Sequence, residues 1–157
     1  LGMGLSIPVG LGIAFKRKEA KNKVFVIMGD GECNEGSNWE AFMTASHYNL
    51  DNLVVFIDKN NFQQTGNCEE ILNLDNLSEK LKSFNCFSQE IDGHDHNQIF
   101  KAIDNNLNTN KPNVIVANTI KGKGINFFEN KNEWHHSVLS KKAYEEALES
   151  LNKNYGN

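Results

Sequence analysis

Long apolar runs are missing from this 157-residue chain: nothing approaches the ~20 residues of a membrane span, and no basic, apolar, small-residue order marks a signal peptide. An excess of positive charge is missing as well. Sixteen basic and 20 acidic residues are scattered along the chain for a formal charge of −4, which leaves no basic stripe for a phosphate backbone, so nucleic acid is not an expected partner. Cysteine is scarce. Cys33, Cys68 and Cys86 are odd in number and 35 and 18 positions apart, which fits neither a disulfide framework nor CxxC metal spacing; free thiols in a reducing cytoplasm are the simplest reading. No nucleotide motif is present: Lys121-Gly122-Lys123-Gly124 lacks the P-loop order, G-x-G-x-x-G does not occur, and a mobile loop near a site is expected there instead. Proline occurs only twice, and with 39% hydrophobic and 10% aromatic residues the chain can bury one core, so a single α/β-sized domain is expected and disorder is not.

What is there alternates. Residues 2–19 carry small and apolar residues at helical spacing and end in Lys16-Arg17-Lys18, which suits a helix C-terminus. Gly2, Gly4, Gly10 and Gly12 weaken such a helix by up to ~1 kcal/mol each relative to Ala, which suggests close approach to a backbone or a ligand. Residues 23–28 form a short apolar run stopped by Gly29-Asp30-Gly31, as expected of a strand buried on both faces of a parallel sheet. Ser37 with Glu40 reads as a capping box opening a helix over 37–49, with Trp39, Phe42, Met43 and Ser46 facing inward. Residues 53–57 are a second buried strand ending in Asp58-Lys59-Asn60-Asn61, and strand–helix–strand implies a right-handed βαβ unit. Helices near 75–84, 96–107 and 140–152 and strands near 86–91 and 113–119 continue the rhythm. The expected architecture is a doubly wound, mostly parallel sheet with helices on both faces. Segments 59–74 and 121–138 are polar and Gly-containing, which suits site loops.

In open α/β sheets ligands bind beyond the carboxyl ends of the strands, and Asp30 and Asn60 both fall at such ends, on strands joined by one helix. Gly29 and Gly31 leave room for a phosphate beside the backbone, and the following helix turns its N-terminal N–H groups toward anions. Mg²⁺ takes six oxygens, usually one or two from protein with phosphate oxygens and water; one carboxylate, one neutral amide and a backbone carbonyl would leave places for two diphosphate oxygens and a water. Each residue alone reads as a turn residue. Their combination is what is specific. His47 reads as a packing or helix-end histidine, and His94 and His96 flank Asp95, a candidate N-cap, without making a zinc site.

The run GDGECNEGSNWEAFMTASHYNLDNLVVFIDKNN resembles the thiamine-diphosphate signature that begins Gly-Asp-Gly and ends Asn-Asn about thirty residues later. Within that superfamily it is most similar to transketolase. LGMGLS before it, DGHD at 92–95, TIKGKGINFFEN and the later WHH at 134–136 have transketolase-like counterparts in the same order, so the resemblance covers nearly the whole chain. It implies a thiamine-diphosphate-binding domain over 1–157, with no second domain. The start at Leu1 rather than Met suggests that something upstream is missing.

By this resemblance Asp30 and Asn60 match the side chains that hold Mg²⁺ or another hard divalent cation, and Phe62 the position whose backbone carbonyl completes the protein's share. Gly31 matches a glycine on the diphosphate, and Leu1 and Gly2 lie in the segment beside the cofactor. Glu35 matches a carboxylate near a subunit interface, where family members link the two cofactor sites through acidic side chains, and His135 a histidine near the diphosphate and the reacting carbon, able to donate a hydrogen bond or move a proton; by the resemblance both are catalytic and cofactor-binding candidates. The residue after it, usually Gly in the family, is His136 here. The implied activity is transfer of a two-carbon ketol unit between sugar phosphates, with thiamine diphosphate supplying the electron sink. Condensation as in deoxyxylulose-phosphate synthase, or a non-catalytic cofactor-binding partner, are the alternatives. The glutamate that activates the pyrimidine comes in this family from a second domain, for which this sequence has no counterpart. A separate C-terminal transketolase subunit, or the rest of a longer chain, is therefore the expected partner, in a homodimer-like assembly of halves.

Overall fold

The computed structural model describes residues 2–105 and 109–156. Its elements, in chain order, are α1 (Ser6–Arg17), β1 (Val24–Gly29), a 3-10 turn (Gly31–Asn34), α2 (Gly36–His47), β2 (Leu53–Lys59), β3 (Phe62–Gln63), β4 (Gly66–Asn67), α3 (Cys68–Leu72), α4 (Leu77–Ser83), β5 (Phe87–Asp92), α5 (His96–Asp104), β6 (Asn113–Asn118), a second 3-10 turn (Asn132–His135) and α6 (Lys141–Tyr155). The four long strands form one parallel sheet in the order β1-β2-β6-β5, with helices on both faces, as expected. α5, expected to run to 107, has Asn105 as its C-cap, and 106 and 107 lie outside the described residues.

The two faces are covered unequally. On one, Val24, Val26, Met28, Leu53, Val55, Ile57, Val114 and Val116 pack with Leu5, Val9, Ala41, Phe42, Ala45, Leu77 and Leu81 from the α1, α2 and α4 side. On the other, Val54, Ile115, Ala117 and Ile91 meet Ala102, Ile99 and Ile103 of α5. β6 is buried along almost its whole length, as a central parallel strand should be. β1 departs from expectation. It lies at the sheet edge and alternates, with Phe25 54% and Ile27 80% exposed, because α5 reaches only as far as the neighbouring strands.

Four local expectations also change. α1 begins at Ser6 rather than residue 2, since Gly2 adopts φ +80°, a left-handed conformation that no helix start accommodates. Gly12 does meet a close neighbour: a Cβ there would lie 3.3 Å from Leu50 Cδ1, and its carbonyl accepts from Asn52 Nδ2 at 3.0 Å. Ser37 does not cap α2. The N-cap position is Glu35, without a side-chain bond, and the Ser37 hydroxyl donates to Gly2 O at 2.7 Å. The inward face of α2 is Asn38, Ala41, Phe42 and Ala45, one position off the expected stripe, so Met43 points out and Ser46 is half-buried. Asp95 behaves as read, accepting from Asn97 N and Gln98 N at 2.8 and 3.3 Å. The segment expected as a plain loop after β2 holds the β3–β4 hairpin and α3.

Candidate functional site

Parallel register brings the carboxyl ends of β1, β2 and β6 level: Gly29 pairs with Asp58, and Asp58 with Ala117. The chain leaves β1 at Asp30, whose N–H still donates to Asp58 O at 3.1 Å, so the sheet itself fixes where this carboxylate begins. Asp30 is only 7% exposed. One carboxylate oxygen accepts from Gly31 N at 2.8 Å and the other from Asn61 N at 2.6 Å. The Cys68 thiol also donates to it.

Burial raises the Asp30 carboxyl above its ordinary value; the hydrogen bonds from Asn61, Gly31 and Cys68 pull it back, and the nearby charge of Asp58 raises it again. The Cys68 thiol is pushed up to about 11 by burial and by the same carboxylate. Cysteine spacing gave no hint of this contact, which the hairpin creates by folding residue 68 back over the strand ends. Asp30, Lys59, Asn61, Cys68 and Asn118 together border a cavity of about 360 Å³.

Asn60 lies immediately after β2, half-buried. Its Nδ2 donates to Asp58 Oδ2 at 3.0 Å and its Oδ1 accepts from Phe62 N at 3.0 Å. Asp58 Oδ1 in turn accepts from the Thr119 hydroxyl, just past β6. Gly31 stands where a Cβ would come within 2.6 Å of Gln63 Cβ, so the absence of a side chain lets β3 close over the Asp30 turn. The structure thus brings Asp30, Gly31, Asn60 and Phe62 into one turn-and-hairpin unit.

These groups suit a hard cation held against a polyanion. A carboxylate has about four lone-pair positions, and backbone N–H groups take two of them at Asp30. The Asn60 amide oxygen, which accepts from Phe62 N, also keeps a lone pair. Among the described residues no cluster of three or more His, Cys, Asp and Glu side chains forms an all-protein metal cage.

The remaining candidates lie farther from this unit or on its rim. Gly2 is buried with its N–H on Glu32 Oε1 at 3.3 Å, and a Cβ there would meet Ser37 Oγ at 2.7 Å and Glu35 Cβ at 3.2 Å. Leu1 lies outside the described residues. Glu35 is exposed at the mouth of α2. His135 closes the second 3-10 turn, which is tethered to the hairpin by Asn132 Nδ2 donating to Gln64 O at 3.1 Å.

His135 is exposed, with Nδ1 3.4 Å from Lys121 Nζ. Burial, then the charges of Lys121 and His136, lower it from its ordinary value of 6.5. The His136 ring meets the His135 ring edge-on, with centroids 6.3 Å apart and planes 70° apart. The segment expected as a mobile loop is folded on itself: Trp134 donates to Phe127 O at 3.1 Å and packs on Phe127 and Phe128. Gly124 O accepts from Ser150 Oγ and Asn154 Nδ2 of α6 at 3.2 and 3.0 Å. His94, read from sequence as a turn residue, accepts from Ile120 N at 2.9 Å and so ties this segment to the end of β5.

Residues 1–156 match the family described as transketolase, thiamine diphosphate binding domain. A subunit of the apulose-4-phosphate transketolase of Actinobacillus succinogenes is 44% identical over 151 residues, covering 96% of this chain and 55% of that protein. The 6-deoxy-6-sulfo-D-fructose transketolase subunit of a Clostridium species is 38% identical over 154 residues, covering 98% and 56%. Among solved structures, transketolase from Campylobacter jejuni superposes with a TM-score of 0.89 at 28% identity, covering 96% of this chain and 25% of that one. The chain spans about half the length of the curated relatives it matches.

Proposed function

The chain belongs to the transketolase family, and on that premise we propose that it binds the diphosphate of thiamine diphosphate through Mg²⁺ in an enzyme that transfers two-carbon ketol units between sugar phosphates. The observation that carries this reading is the convergence of Asp30 and Asn60 on adjacent strand ends, with lone pairs left on both the carboxylate and the amide oxygen for a metal. In it, Asp30, Asn60 and the Phe62 carbonyl hold the cation, and Gly31 offers backbone to the diphosphate. When bound, thiamine diphosphate supplies the carbanion nucleophile and the electron sink for the two-carbon unit.

In this reading His135, held below its ordinary value of 6.5, donates a hydrogen bond to an anionic or hydroxyl group of the cofactor or substrate. Leu1 and Gly2 belong to the cofactor's surroundings, and Glu35 to a contact between halves. A separate half supplies the group that activates the pyrimidine. The two bacterial relatives, both named as subunits of transketolases, support a split arrangement. Their names also point to ketose substrates with an anionic terminal group.

Met3, Ile7 and Leu11, 61%, 62% and 47% exposed at helical spacing along α1 and its entry, support pairing with a second copy. Calorimetry of the chain with its partner half tests the reading: thiamine diphosphate binds with Mg²⁺ and loses affinity when the metal is chelated. Binding that ignores Mg²⁺, or none at all, removes it. A ketol-transfer assay with ketose and aldose phosphates, set beside pyruvate consumption, separates this reaction from the synthase-type condensation.

A further inference from the structure

We infer that Asp58 and Thr119 are positioning residues that fix which end of the Asn60 carboxamide faces the metal; the inference rests on the cofactor reading above. An Asn side chain is nearly symmetric in shape, and only its oxygen can ligate a cation. Turned over, it would offer N–H groups to the metal and repel it. Asn60 occurs in a turn beyond the strand, so the sheet does not set its rotamer.

What sets it is a partner that can only accept. Asp58 Oδ2 accepts the Asn60 Nδ2 proton at 3.0 Å, and its Oδ1 accepts from the Thr119 hydroxyl, so both carboxylate oxygens act as acceptors and neither is turned to the amide oxygen. On the other side, Phe62 N donates to Asn60 Oδ1 at 3.0 Å, and a backbone N–H can only donate. The amide is therefore read correctly at both ends. Asp58 is itself held at its other oxygen by the Thr119 hydroxyl, and Thr119 N donates to Lys59 O at 3.2 Å.

The Asp58 backbone has a second duty, since its carbonyl accepts from Asp30 N at 3.1 Å. One residue at the end of β2 thus aligns a ligand on its own strand through the side chain and a ligand on β1 through the backbone. Thr119 carries the alignment to the third strand. Partners outside the ligand shell that orient the ligands commonly change metal affinity about 10- to 100-fold when removed.

The measurement is the Mg²⁺ concentration that half-saturates thiamine diphosphate binding, followed by calorimetry on the chain together with its partner half. Asp58→Asn is expected to raise it about 10- to 100-fold. Thr119→Val, which leaves every charge in place, raises it by a smaller factor, and Thr119→Ser recovers most of that loss because the hydroxyl returns. In an Asn60→Ala background, tested with Mg²⁺ up to the concentration that restores binding, Asp58→Asn adds nothing further.

A wild-type Mg²⁺ requirement for Asp58→Asn overturns the inference. So does an Asp58→Asn effect that persists at full size without the Asn60 side chain, because it would then be a charge effect on the metal. If Asp58→Asn unfolds, as a melting curve without metal would show, Thr119→Val carries the same decision alone. Wild type that takes up the cofactor with Mg²⁺ while the variants are unmoved overturns this inference only. Wild type without Mg²⁺-dependent uptake overturns the cofactor reading and this inference with it.

Discussion

The strand-end unit around Asp30 and the segment around His135 border the same region but are held in different ways. Asp30, Asp58 and Thr119 end three adjacent parallel strands, so their positions follow from sheet register, with side-chain bonds added on top. His135 hangs from a segment fixed by an aromatic cluster, two α6 side chains on one carbonyl, and one bond to the hairpin. The first kind of placement cannot be loosened without disturbing the sheet. The second can be loosened by one side chain.

The sharpest break between the two regions is expected from Asp30→Ala beside His135→Ala. The first removes the carboxylate proposed to hold Mg²⁺ and should abolish Mg²⁺-dependent thiamine diphosphate binding, which excess Mg²⁺ does not rescue. The second should leave that binding within a few-fold and act on turnover instead. Equal losses of binding in calorimetry would erase the distinction.

Next in size is Gly31→Ala. Its new methyl would meet Gln63 Cβ at 2.6 Å, so β3 must shift away from the Asp30 turn, and Mg²⁺ affinity should fall by about tenfold while secondary structure by circular dichroism stays intact. An unchanged affinity would mean that the hairpin can move without the ligands.

Trp134→Ala removes the centre of the aromatic cluster, whose pairs contribute about 0.5–1.5 kcal/mol each. Hydrogen exchange should quicken across 121–136 and not at the strand ends. Quickening that spreads into β1 and β2 would show that the two regions are one unit.

The smallest effect concerns proton binding at His135. Its folded value is lowered, first by burial and then by the Lys121 and His136 charges, so between that value and 6.5 the unfolded chain binds the proton more. The resulting contribution to stability is present above 6.5 and lost as pH falls toward the folded value. Lys121→Gln should move the imidazole titration, followed by NMR, upward toward 6.5 and narrow this window. A downward shift would contradict the assigned cause.

Much of this was legible in the residues themselves. β1, β2 and β6 announce themselves as apolar runs ending in polar residues, whereas β5, Phe-Ser-Gln-Glu-Ile-Asp, is mostly polar and is legible only from the alternation of elements around it. Asp30 and Asn60 are visible because they follow two of those runs. Ser37 misled because its sequence context fits a capping box, while its hydroxyl is drawn to Gly2 O, thirty-five positions away. The stripe on α2 shifted by one position because helical period alone does not say which residue meets the neighbouring helix.

Cys68 and Thr119 were illegible for a deeper reason. Their partners, Asp30 and Asp58, are 38 and 61 positions away, and only a completed sheet and hairpin make them neighbours. Asp58 was in view as part of a polar cluster. Its specific task depends on which oxygen meets which proton, and no spacing rule encodes that.

The alternation along β1 has a consequence for the chain in a test tube. Phe25 and Ile27 stand on a strand with no sheet neighbour on its outer side among the described residues, so apolar side chains and unpaired backbone groups occur together along one border. Such a border is adhesive at high concentration, and Lys23 and Asp30 supply charge only at its two ends. How readily preparations of the chain clump should therefore be governed by two residues that contribute nothing to the core. Ile27→Lys should keep concentrated samples clear in light scattering without altering the melting curve.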